Sequence, residues 1–262
     1  MKFFSILLSL LAGGTYLMLH RISLDRIGPK FYRLITTLSL IGFGLILLTL
    51  RPAGFSSWTE FGLVVGILST GLMHHRSLSG TLPGLRPVFY WTGVGLILTF
   101  FAAIVFGPTL SMIKTEVVPT PVAYLQIVLS AAVLGSIVDA MICGHWYLVN
   151  PDLSLEPIQS ISRALTLVIL AKIALISWVL FQTKLHNPFL FEQLMFYKYP
   201  LLFWVRLLVG LAGGLFFNWM SWKALEHGNT QASTGILYAC ITWIIMGEFS
   251  AFYLTVVEGV PL

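Results

Sequence analysis

Apolar residues fill this chain in long blocks, and the polar and proline-bearing stretches between them are short. The blocks cover residues 3–19, 34–50, 58–73, 88–107, 122–144, 164–181, 201–222 and 233–257. Blocks of this length can cross the roughly 30 Å of hydrocarbon in a bilayer as helices. Only helices and closed barrels satisfy every backbone polar group in that medium. The pattern predicts an all-α, polytopic integral membrane helix bundle of about eight transmembrane helices, a single domain over residues 1–262. An even number of crossings returns both termini to one side.

The connections carry their own signals. Pro52 and Gly54 mark a short turn between the second and third blocks, and Pro119 and Pro121 precede the fifth. Asn187 and Pro188 provide a capping residue and a first-turn proline before the aromatic-rich stretch 189–197, which predicts a short helix lying on the membrane surface. Residues 152–162, between Pro151 and Pro157, are expected to do the same at the opposite face. A weak repeat is also visible. The run ending in His20-Arg21 is echoed by the run ending in His75-Arg76, and Phe31-Tyr32 by Phe89-Tyr90, which suggests duplicated hairpins over 1–50 and 57–107.

Composition sharpens the class. With 57% hydrophobic and 10% charged residues and a mean hydropathy of +0.90, the chain has too much apolar surface for water to hydrate. The net charge of +5 comes from Lys and Arg scattered singly, with no basic stripe to track phosphates, so nucleic acid is excluded as a partner and the lipid bilayer is the expected one. The basic residues bear instead on topology. Arg21, Arg26, Lys30 and Arg33 face a lone Asp25 in the first loop, and loops after odd-numbered blocks hold more Lys and Arg than the others. This places both termini on the outer side of a cell membrane. It also implies that the first block is retained as a span, because a cleaved leader would leave the basic loop outside. Cys143 and Cys240 lie in apolar blocks without metal-site spacing and are expected to be buried small hydrophobes.

Helices in lipid associate where small residues let backbones approach. Gly62, Gly66 and Thr70 form such a stripe, continued by His74; Ala132, Gly135, Ser136, Asp139 and Cys143 form a second; Arg206, Gly210 and Gly214 a third. Two of the stripes carry a charge with them. Asp139, Lys172, Arg206 and Glu248 all fall inside predicted spans, where each costs roughly 2.5–3.5 kcal/mol near mid-bilayer. Their positions predict an Arg206–Glu248 pair in the outer third, with Lys172 near mid-membrane and Asp139 in the inner third. Such charges either fix helix register or line a polar cavity.

Residues 136–151 set Asp139 inside a helix and His145 where that helix leaves the membrane. His20, His74, His75, His145 and His227 all fall at the same ends of odd-numbered spans, and only His186 at the other. Imidazole ligates haem b and metals, so His74, His145, His75 and His20 are candidate cofactor-binding residues, with His74 and His145 the best haem pair. Haem or quinone suits them better than copper, for which Met18, Met73 and Met141 would add thioethers. Histidine is equally at home at the headgroup level without any ligand. Three functions follow: a redox subunit handling haem or quinone and docked to other membrane or peripheral redox subunits, a transporter of small solutes or ions, or a structural assembly subunit. No nucleophile elbow, P-loop or metalloprotease spacing is present.

Overall fold

The computed structural model describes residues 2–49, 58–80, 82–106 and 118–262. Eight long helices follow one another: α1 (Lys2–Met18), α2 (Pro29–Thr49), α3 (Trp58–Ser77), α4 (Arg86–Phe106), α5 (Thr120–Val149), α6 (Glu156–His186), α7 (Pro200–Glu226) and α8 (Thr230–Glu258). Among the described residues there is no strand. The molecule is a multi-pass membrane helix bundle. Seven helices are long and apolar enough to cross a bilayer; α3 is the exception to the expected eight. Its 20 residues suffice in length, but Glu60, His74, His75 and Arg76 dilute its apolar character. The turn expected at Pro52 and Gly54, and the end of the fourth span at Gly107, lie outside the described residues.

Successive helices run antiparallel, as specific contacts show. Ser39 of α2 donates to Ala12 O of α1, Arg86 at the start of α4 donates to Ser77 O at the end of α3, and Ser162 of α6 meets Asn218 of α7. Alternation therefore puts His20, His74, His75, His145 and His227 at one end of the bundle, here the histidine end, and His186 at the other.

The centre is built on α1 and α5, both more than half buried. They run parallel and touch backbone to backbone: a Cβ placed on Gly14 would lie 1.9 Å from Ala131 O, and one on Gly135 would lie 2.1 Å from the Gly14 carbonyl. Leucine against lipid gains nothing by moving inward, so close backbone approach is what joins these helices. The outward faces stay apolar, with Leu38, Ile41 and Leu45 on α2 and Leu208, Phe216 and Trp219 on α7 exposed to the acyl chains. On α3 the expected small-residue stripe faces inward only in part: His74 is buried and Gly66 and Thr70 are half-buried, whereas Gly62 is exposed with nothing near it.

Residues 188–192 form the expected short helix, capped by Asn187 Oδ1 accepting from Leu190 N at 3.0 Å and continued by a wider turn to Tyr197. Phe189 and Tyr197 are exposed there. The surface helix expected over 152–162 does not exist. Pro157 sits in the first turn of α6 and starts that helix instead of interrupting it, and Ile158, Ile161 and Ser162 are buried in it. Beyond α8, Gly259 adopts the left-handed conformation (φ +68°) and turns the chain inward, so that Val260 and Leu262 are buried and Gln126 Nε2 donates to Pro261 O at 3.3 Å.

Candidate functional site

The deepest polar cluster joins four helices. Lys172 of α6 donates from Nζ to Glu248 Oε2 at 2.8 Å and Oε1 at 3.0 Å, and also to Ser130 Oγ of α5. Arg206 of α7 donates from Nη1 to Glu248 Oε1 at 2.7 Å. The side chains of Lys172, Arg206 and Glu248 are 0%, 1% and 3% exposed, so water screens none of these charges.

Local structure explains how the three meet. Residues Val205–Gly213 form a π-helical stretch, a wide turn that is rare in helices and frequent at functional sites. In the same stretch Gly210 lies against Gly247 of α8, so close that a Cβ on Gly210 would be 2.6 Å from the Gly247 Cα. Glu248 is the next residue along, and Arg206 is about one turn from Gly210. The crossing thus brings the guanidinium onto the carboxylate.

The Arg206–Glu248 pair is present, but Lys172 joins it at the same level instead of sitting apart near mid-membrane. Depth read from position within a span fails here because the four-carbon lysine stem carries its ammonium well away from its own backbone. Asp139 has no share in the cluster. It is fully buried on α5, and neither carboxylate oxygen has a hydrogen-bond partner, nor does the neighbouring Ser136 Oγ. Its surroundings are Cys143 and, within electrostatic reach, Tyr32 and Tyr90. An unpaired carboxylate in such a place costs far more than the neutral acid. Asp139→Asn, which keeps the shape of the acid, is therefore expected to leave thermal stability in detergent within a few degrees of the parent. A large loss would mean that the carboxylate is charged and paired in the membrane.

With Lys172 and Arg206 both protonated, two cations against one anion would leave the Lys172–Arg206–Glu248 cluster with an excess positive charge. Arg206 Nε and Nη2 are buried without a partner. Beside Glu248 lies a cavity of about 20 Å³, enclosed by α1, α5, α8 and the inward-turned segment after α8. Its polar lining comprises Gln126, Ser130, Glu248 and Thr255, and Gln126 Oε1 has no partner. That is room for one water. Ser130 and Gln126 are absent from the sequence-predicted site, although two polar residues spaced i, i+4 inside an apolar block are a readable signal.

No family model matches this chain, and neither does any curated protein or solved structure.

The candidate cofactor residues differ in burial, and two of them, His74 and His20, lie against Tyr90. His74 is buried, edge-on to Tyr16 at 5.6 Å and tilted against Tyr90 at 5.5 Å, with Nδ1 unpartnered. His20 is exposed, its Nδ1 2.8 Å from Leu17 O and 3.5 Å from the Tyr90 hydroxyl. His75 is half-buried and His145 is exposed near the end of α5. Among the described residues no three His, Cys, Asp or Glu side chains are placed to hold a metal ion. Tyr90 donates to Leu17 O at 2.9 Å, and Tyr32 donates to Leu19 O at 3.2 Å and to Ile22 O, so both hydroxyls bond main-chain carbonyls near the end of α1.

Proposed function

We propose that the protein is a membrane carrier for a small monovalent anion, bound at the unfilled edge of Arg206 within the Lys172–Arg206–Glu248 cluster. One observation carries this reading: a fully buried site with an excess cation and two unused guanidinium donors. An uncompensated ion inside a protein costs several kcal/mol, and guanidinium is the side chain whose fork best matches small oxyanions. A purely structural network would be expected to balance its charges. The redox reading draws less support, because His145 is exposed whereas His74 is buried against Tyr16 and Tyr90.

The test is reconstitution into liposomes with a panel of chloride, nitrate, formate and bicarbonate. At least one anion is expected to cross faster than in protein-free liposomes and to raise the melting temperature of the detergent-purified protein by several degrees at saturation. Arg206→Gln, which keeps hydrogen-bonding capacity and loses the charge, is expected to abolish both effects. A panel in which no anion shifts melting or moves faster than in empty liposomes overturns the proposal.

A further inference from the structure

We infer that each anion bound at this cluster is accompanied by one proton taken up on Lys172 Nζ, which makes transport an electroneutral proton–anion symport. The inference rests on the carrier reading above. Its ground is the charge count of a site from which water is excluded. With the anion present, ammonium, guanidinium, carboxylate and anion sum to zero. With the anion gone, the same sum is reached only if one cation becomes neutral. Arginine does not release its proton in proteins, whereas a buried lysine does so readily. Loading is then the conversion of a neutral amine, an incoming proton and an incoming anion into an ammonium with a bound anion. The amine lone pair takes the proton and no other bond changes.

Geometry supplies the acceptors of the ammonium and a place for a water beside them. The charged groups facing Lys172 are Glu248 from α8 and Arg206 from α7; α5 presents the uncharged Ser130 hydroxyl. Ser130 and Glu248, which hold the Nζ, are also walls of the water-sized cavity, and Gln126 Oε1 offers an open acceptor in the same wall. A water there meets the two or more polar partners it needs. The same cavity is lined by Thr255, Pro261 and Leu262, which close it at the end of the bundle opposite the histidines.

The experiment uses purified protein in detergent, in weakly buffered solution with a pH-sensitive dye, titrated with whichever panel anion shifts its melting temperature. Uptake of close to one proton per anion is expected at some pH between about 5 and 10, from the lowest values documented for buried lysines up to the ordinary one. Lys172→Gln is expected to fold, since its empty site is neutral, and to show no proton uptake with at least tenfold weaker anion affinity. Anion binding without proton uptake across that range overturns the coupling and leaves the carrier reading standing. Binding by no anion overturns the site itself. Proton uptake that persists in Lys172→Gln assigns the proton to another group and also overturns the inference.

Discussion

Glu248→Gln is expected to destabilise the protein by about 3–5 kcal/mol, the cost of leaving buried charges uncompensated. Neither of its single-site counterparts should do as much. Lys172→Met leaves Arg206 on Glu248 at 2.7 Å, and Arg206→Met leaves Lys172 on both carboxylate oxygens. Each of those variants keeps one cation facing one anion, so each loss should be less than about half that of Glu248→Gln. The double variant Glu248→Gln with Lys172→Met should lose about as much as Glu248→Gln alone, because without an anion Lys172 is neutral and Arg206 is the buried cation left without a counter-charge in both. Thermal unfolding of the four proteins in the same detergent, without added anions, ranks them. Equal losses from all three single variants would show that the side chains act by packing, and that the imbalance of charge has no energetic meaning.

The architecture is legible in the sequence because lipid makes a blunt demand. Backbone groups must be satisfied inside each span, so apolar blocks translate directly into helices, and seven of the eight long helices carry that signature plainly. Rotation about each helix axis is harder to read. The stripe through Gly135 and the one through Gly210 do face neighbouring helices, but Gly62 points outward, because a single small residue does not mark the buried face of a helix when lipid and core are equally apolar. The segment 152–162 misleads because a proline in a first helical turn and a proline that ends a helix look alike without their partners. For the charged cluster, the identity of its members is visible and their common level is not. Nothing in the order of residues tells that a π-helical stretch will carry Arg206, or that Lys172 will reach Ser130 on another helix.

Gly135→Leu is expected to eliminate folded protein, and Gly135→Ala to destabilise by about 3 kcal/mol or more, the upper end of overpacking penalties. The contacting atoms decide the size of the effect. A Cβ at Gly135 meets the Gly14 carbonyl at 2.1 Å, and one at Gly14 meets Ala131 O at 1.9 Å. These are backbone atoms in the two most buried helices, so no flexible side chain can move aside. The gain in helix propensity from glycine to alanine, about 1 kcal/mol, works in the opposite direction and is outweighed. Gly62 supplies the control. It lies on α3 with nothing within 4 Å, so Gly62→Leu should be tolerated and Gly62→Ala neutral or slightly stabilising. The monodisperse fraction after detergent extraction, followed by thermal unfolding, compares the pairs directly. The crossing also bears on the site, since α1 and α5 both wall the cavity beside Glu248. Any Gly135→Ala protein that does fold should therefore bind anion more weakly than the parent. Wild-type stability and wild-type binding in Gly135→Ala would mean that α1 and α5 do not approach as closely as the 2.1 Å clash at Gly135 implies, and that the cavity they wall has a different shape.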